Sequence, residues 1–307
     1  MTSIISSNRE ILLLREADFA LDGGAMFGII PRPLWQRTNP PDENNRIDMS
    51  ARCVLIRDPD RTILIDVGMG TRWSERERGI YRIDSQDPGL QQALARHNLG
   101  PEDIDHVILT HLHFDHVGGL TTADESGALR PTFPNARHWV QRRNWGWAHQ
   151  PSARDGGSYR SEDFSFLEDA DAPPLELVDG IDEILPGIEV IPCHGHTFGM
   201  QIVKITCVDA TYVFLADLVP TTSHLRGPYV MGYDLQPLAT VEEKQEILYH
   251  AVRNDWLLLF QHDPTTAIAR VEMNEKDQPS LVPTGALPDS LLLKANGPGT
   301  ATSDTVE

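Results

Sequence analysis

From His111 to His116, three imidazoles and a carboxylate fall within six residues: His111-Leu112-His113-Phe114-Asp115-His116. Imidazole nitrogens and carboxylate oxygens form a mixed N/O donor set suited to zinc or a similar divalent ion. A lone histidine on an apolar face is ordinarily structural, but this density of donors is not explained that way. His111 and His113 are two residues apart, so at an extended strand end both side chains leave on the same side. Asp115 and His116 follow where Gly118-Gly119 closes the stretch, and they can point at a second position beside the first. Val107-Ile108-Leu109 upstream reads as a buried strand, which places the donors where a strand ends and a loop begins.

The same arrangement recurs along the chain. Ile188 to Ile191, Thr211 to Leu215 and Trp256 to Phe260 read as strands, and His196, Asp217 and His262 follow them shortly. Any one of these alone reads as a turn residue. Four strand ends together describe a site assembled from separated segments. A further carboxylate, Asp66, ends the run from Thr62. It reads either as a turn-former or as a partner that orients a metal-bound imidazole.

The remaining sequence supplies the frame. Ile11 to Leu21 and Ala51 to Ile56 read as strands, Met200 to Thr206 pairs with Thr211 to Leu215 as a hairpin, and Asp87-Pro88 has the form of a helix start. Thr240 and Glu243 have capping-box spacing for a helix running to about Val252. Helix, strand and metal loop in succession give an α/β pattern. The segment Gly23 to Gly28 is glycine-bounded, and with Met26, Phe27 and Trp35 it is unusually apolar. It is expected to form one wall of a substrate pocket, the alternative being a loop packed on the core or on another subunit of a homodimer. Residues 120–185 are weakly periodic, and their acidic tract is read as solvated surface. Residues 1–287 are expected to form a single domain, and 288–307 a loose tail rich in Gly, Ser, Thr and Pro.

Composition narrows the function. The chain has 307 residues, 40% hydrophobic and 23% charged, as in a globular enzyme. Its net charge of −19 disfavours nucleic acid or an anionic membrane as the main partner. Three cysteines without paired spacing imply no disulfide framework, and no signal-peptide core or membrane span is read, so the expected location is the cytoplasm.

His111-x-His113-x-Asp115-His116, then Gly195-His196-Thr197, Asp217 and His262-Asp263, resembles the metallo-β-lactamase superfamily from about Asp66 to Asp263, with the motifs in family order. The resemblance implies an αββα sandwich with two metals in a cleft at one edge of the sheets. His111, His113 and His196 would hold one ion, and Asp115, His116 and His262 the other. Asp217 would bridge, with Asp66 matching an early strand-end motif of the family. Gly23 to Gly28 with Pro31 and Trp35 is similar to the start of quorum-quenching N-acyl-homoserine lactonases, near methyl parathion hydrolases. Many lactonases carry a tyrosine three residues past the bridging aspartate. Here that position is Pro220, so His224 and Tyr229 become the candidates to help polarise the lactone carbonyl. Met26, Phe27, Trp35 and Phe114 are the candidates to contact the acyl chain.

The implied chemistry is ring opening of an N-acyl-homoserine lactone. A water shared by two divalent ions loses a proton near neutral pH and attacks the carbonyl. Asp115 returns a proton to the alkoxide. An organophosphate triesterase or another ester hydrolase on the same metals is the first alternative. A metal-dependent nuclease follows, disfavoured by charge, and then a non-catalytic metal-binding module.

Overall fold

The computed structural model describes residues 9–83, 89–276 and 278–282. Two six-stranded sheets lie within them, and each follows chain order. The first contains Glu10–Asp22, Arg46–Asp58, Arg61–Ile65, His106–Ile108, Arg137–Gln141 and Leu175–Val178. Its first three strands are antiparallel, and from Arg61–Ile65 onward neighbours are parallel. The second contains Asp182–Leu185, Ile188–Cys193, Met200–Thr206, Thr211–Phe214, Leu257–Leu259 and Ile268–Ala269. Only Thr211–Phe214 and Leu257–Leu259 pair in parallel there.

The strand period of two sorts the apolar side chains into layers. Leu13, Val54, Ile56, Ile63, Ile65 and Ile108 of the first sheet meet Val190, Ile202, Phe214 and Leu258 of the second in one core. Their neighbours Leu12, Leu14, Leu55, Leu64 and Val107 face the opposite way, onto Leu90, Leu94 and Trp145 of flanking helices. On the far side, helix Pro237–Arg253 packs Ile247, Leu248 and Ala251 against the second sheet. The result is the αββα sandwich of the sequence reading. Among the described residues, no helix is long and apolar enough to cross a membrane.

Several local expectations change. Gly23 to Gly28 is not a loop but a short helix, Gly23–Phe27, whose N-terminus is capped by Asp22 accepting from the Ala25 amide at 2.8 Å. Thr240 and Glu243 do not cap a helix, because Pro237 starts that helix one turn earlier. Glu243 instead accepts the amides of His194 and Gly195 at 2.7 and 3.0 Å. The weakly periodic region contains the strands Arg137–Gln141 and Leu175–Val178, short and only partly buried, which left little periodic signal. Within its acidic tract Asp163 is not solvated; it is buried and ion-paired with Arg72 and Arg160. The helix start at Asp87-Pro88 and the tail from 288 lie outside the described residues.

Two loops at the edge of the first sheet are held together through glycines. The segment after Asp66 pairs with the one after His116: Val67 donates to the His116 carbonyl at 2.8 Å, and Gly68 bridges Val117. A Cβ on Gly118 would lie 2.1 Å from the Met69 carbonyl oxygen, and one on Gly70 would lie 2.3 Å from that of Gly118. Only bare backbones approach so closely. Gly118→Ala should therefore lower the unfolding free energy by about 1–3 kcal/mol. A urea midpoint equal to that of the parent chain would show that the loops are free to move apart.

Candidate metal centre

The strands deliver their donors to one edge of the sandwich. Asp66 follows Arg61–Ile65, His111 follows His106–Ile108, and His196 follows Ile188–Cys193. Asp217 follows Thr211–Phe214, and His262 follows Leu257–Leu259. Past the strand ends the backbone leaves the ladder, and buried side chains take over its hydrogen bonds. Asp66 Oδ1 accepts from the Thr110 amide at 2.8 Å, and Asn144 Oδ1 from the Leu112 amide at 3.0 Å. Gln201 Nε2 donates to the Leu109 carbonyl at 2.8 Å. Asp66 and Ala216 adopt left-handed φ of 54° and 45°, sharp turns at two of the strand ends that feed the site.

Two groups of donors form there, each with its ligand atoms within 4.8 Å of one another: His111, His113, His196 and Asp217, and Asp115, His116 and His262. In the first, His113 Nδ1 lies 3.0 Å from His111 Nε2 and 3.1 Å from His196 Nε2. Asp217 Oδ2 is 3.2 Å from His196 Nε2 and 3.9 Å from His111 Nε2. In the second, His116 Nε2 and His262 Nε2 are 3.4 Å apart, and Asp115 lies 3.8 and 3.7 Å from them. Asp217 also faces this group, 3.7 Å from His116 Nε2 and 3.0 Å from His262 Nε2. Four ligands at zinc-like bond lengths in a tetrahedron stand about 3.3 Å apart, so this spacing suits such an ion.

Outer hydrogen bonds fix which nitrogen faces inward. His262 Nδ1 donates to the Ser50 carbonyl at 2.9 Å, which leaves Nε2 as a bare lone pair. His116 Nδ1 donates to Asp66 Oδ2 and His196 Nδ1 to Asp234 Oδ1, both at 2.9 Å. Thr110 Oγ1 donates to Asp66 Oδ2 at 2.7 Å and so accepts from His111 Nδ1 at 3.1 Å. Four imidazoles thus aim lone pairs at two carboxylates. The Asp217 Oδ1 oxygen, 3.0 Å from the lone pair of His262, has no hydrogen-bond donor. A buried knot of acceptors without donors is unfavourable unless cations fill it, and this donor set fits divalent metal ions.

The protonation tendencies agree. Burial, reinforced by the neighbouring imidazoles, drives His111 and His113 well below the usual histidine range. Burial acts the same way on His116 and His196, but the carboxylates of Asp115 and Asp217 beside His116, and of Asp217 and Asp234 beside His196, outweigh it and raise both. Against its own burial, Asp217 is held well below the carboxylate range by His262, His196 and His116. The knot attracts positive charge.

A cavity of about 280 Å³ opens over His113, Asp115, His196, Asp217 and His262. Leu21, Met26, Met49, Phe114 and Met231 give it an apolar wall, while Arg154, Ser158, Tyr81 and Tyr233 supply polar atoms. Of the expected pocket residues, Met26 and Phe114 are therefore in place. Phe27, Trp35, His224 and Tyr229 are not. Phe27 is fully buried behind the wall, stacked on Trp35 at 5.3 Å and on His224 at 4.7 Å, with the Tyr229 ring edge-on at 6.0 Å. Both nitrogens of His224 are engaged, with Thr221 Oγ1 and the Met26 carbonyl at 2.8 Å each, and burial pulls its pKa to about 4. It cannot polarise a carbonyl in the cavity. His194 also stays outside: its Nδ1 accepts from the Gly199 amide. Asp234 and Ser50, which hold histidine rings, and Asn144 and Gln201, which hold the backbone beside them, were missed, since nothing in the local sequence distinguishes a residue whose partner lies far along the chain.

Fold and donor set together define a class of metal-dependent hydrolase. The chain belongs to the metallo-β-lactamase superfamily, whose pattern matches residues 47–285. It is 26% identical over 246 residues to a "Probable metallo-hydrolase" of Mycobacterium tuberculosis, covering 71% of this chain and 76% of that protein. It is 25% identical over 227 residues to the "N-acyl homoserine lactonase AttM" of Rhizobium radiobacter, covering 68% and 80%. A "probable metal-dependent hydrolase" from Staphylococcus aureus superposes with a TM-score of 0.81 at 29% identity, over 93% of this chain and all of that one. The dizinc quorum-quenching lactonase AidC has the same fold, with a TM-score of 0.72 at 17% identity over 93% and 97% of the two chains.

Two outcomes test this arrangement. Asp66→Asn removes the charged acceptor behind His116, so metal affinity should fall about 10- to 100-fold, read by equilibrium dialysis; an unchanged affinity would mean that His116 is held by packing alone. Phe27→Ala opens a core cavity and should cost about 3–5 kcal/mol of stability. A thermal midpoint that does not move would return Phe27 to the pocket wall.

Proposed function

We propose that this protein is a dinuclear metal hydrolase that opens the ring of N-acyl-homoserine lactones. The observation that carries the reading is the junction of two surfaces in one cavity. Its floor is the convergent donors of His113, Asp115, His196, Asp217 and His262, and its wall is the apolar set Leu21, Met26, Met49, Phe114 and Met231. A polar ring bearing an apolar arm matches both surfaces at once. The relatives named as lactonases support the same substrate class.

In this reading His111, His113 and His196 hold one ion, Asp115, His116 and His262 hold the other, and Asp217 serves both; zinc is the ion best suited to these donors. Bound there, the ions supply Lewis acidity toward a carbonyl and acidify water at neutral pH. The protein's own groups do the rest. Asp66, Asp234, Thr110 and the Ser50 carbonyl keep the imidazoles in the ligating tautomer. Asp115 lies on the cavity surface and returns the proton to the leaving alkoxide. With Pro220 where many lactonases have tyrosine, Arg154, Tyr81, Tyr233 and Ser158 are the polar side chains lining the cavity that can face the substrate carbonyl. The apolar wall shields the reaction from bulk water.

The experiment is a hydrolysis panel on metal-analysed protein. About two divalent ions per chain are expected, with lactones turned over faster than phosphotriesters, and no turnover after chelation. Asp217→Asn should lower occupancy of both ion positions together and nearly abolish activity. Full activity in a verified metal-free sample would end the metal mechanism. A higher kcat/KM for phosphotriesters would replace the lactone by the organophosphate reading.

A further inference from the structure

His262 is delivered by the second sheet but oriented by the first. Its strand ends at Leu259, and the carbonyls from Phe260 to Pro264 then turn toward strands Glu10–Asp22 and Arg46–Asp58. The His262 carbonyl accepts from the Ser50 amide at 3.2 Å, and that of Pro264 from Arg15 Nη1 at 3.1 Å. The carbonyls of Phe260, Gln261 and Asp263 gather around one buried cation, Arg52. Its Nη1 lies 3.2 Å from the Phe260 oxygen and 3.5 Å from that of Gln261, and it donates to that of Asp263. Ser50 Oγ is 3.1 and 3.0 Å from the Gln261 and Asp263 oxygens, but its single proton satisfies only one of them at a time. Arg52 supplies the remaining donors.

This is an unfavourable place for a guanidinium. Arg52 is only 4% exposed and stands opposite Arg15 in the strand pair. Burial, and after it Arg15, lower its pKa to about 10, which still leaves it charged at neutral pH. Both oxygens of the Asp263 carboxylate are committed to Thr222, Thr265 and Thr266, so the bond from Arg52 goes to the backbone of that residue. A cation buried on carbonyls recovers less of its hydration than one buried on a carboxylate. What the arrangement secures is the path of one segment. Without the cation, neighbouring carbonyls would be left without donors and would separate to reach water. The His262 ring would move with them, because its bonds to Ser50 join the same two strands.

We propose that Arg52 is a positioning residue for His262. It acts on the ion position that His262 serves and not on that of His111, His113 and His196. The inference rests on the two-ion reading above, and it adds to it a link from the first sheet to one ion alone.

The test reads ion retention and needs no substrate. The full chain loaded with zinc is dialysed against graded concentrations of a chelator, and the zinc kept per chain is measured. Arg52→Met retains an unbranched stem and removes the donors. It should weaken one ion about tenfold or more, as loss of an outer partner does, and leave the other within about twofold. His262→Ala identifies the position: in that background Arg52→Met should have no further effect on the ion that remains. Arg52→Lys returns a charged donor on a shorter stem and should fall between Arg52→Met and the parent. Should Arg52→Met not fold, Arg52→Lys carries the test, and unchanged release of both ions in it would overturn the proposal. So would a lowered urea midpoint in Arg52→Met with both release steps unmoved, which would make Arg52 purely structural, or an equal weakening of both ions. Wild-type protein that keeps no zinc would instead end the two-ion reading, and the proposal with it.

Discussion

Everything at the active edge follows from one electrostatic constraint: lone pairs are forced to face each other in a buried space. Left alone, His111, His116, His196 and His262 would turn their rings to share hydrogen bonds. The fold prevents this by giving each Nδ1 a fixed partner: Thr110 Oγ1, Asp66, Asp234 and the Ser50 carbonyl. Once the outer nitrogens are committed, the inner ones can be satisfied only by positive charge. Those partners sit on segments anchored by the sheets, so the rigidity of the sandwich is transmitted to the donor geometry. Breaking a ladder near a strand end would matter more for metal retention than many changes nearer the cavity mouth.

The net charge of −19 bears on which molecules reach this edge. A nucleic-acid backbone would be repelled over the whole approach and attracted only within a screening length of the site. A neutral ester or lactone meets no such barrier. In the proposed reaction, hydrolysis would convert it into a carboxylate inside a protein of the same sign, which would favour its departure.

The donors were legible in the sequence because metal chemistry limits residue types and strand ends fix spacing. His111, His113, Asp115 and His116 announce themselves by density, and His196, Asp217 and His262 by following apolar runs. The two-layer architecture was implied by the family resemblance and not by residue alternation: runs such as Leu12-Leu13-Leu14 and Cys53-Val54-Leu55 are apolar throughout because both faces of the sheet are buried. The pocket wall was not. Met26 and Phe27 are adjacent and equally apolar, yet one faces the cavity and the other stacks on His224, because a short helix occupies what reads as a glycine loop. Met49, Tyr81 and the pair Met231 and Tyr233 come from three separate segments with no local pattern, so only the fold brings them together.

Asp234 shows how the wall and the metal group are joined. One of its oxygens holds His196, and the other accepts from the Met231 amide at 3.1 Å. Leu235 and Gln236 donate back to the carbonyls of His196 and Gly195, and Arg154 reaches across to the carbonyl of Gly232. The segment bearing Met231 and Tyr233 is thereby fastened to His196. A substitution that shifts this segment must also shift His196, so metal affinity and substrate fit change together on that wall. Leu21 and Met49 lie on the first sheet, where Ser50, next to Met49, serves His262 through its backbone carbonyl. A backbone contact survives side-chain replacement. On the first-sheet side of the cavity, replacing the side chain of Leu21 or Met49 accordingly leaves the hydrogen bond that orients His262 in place.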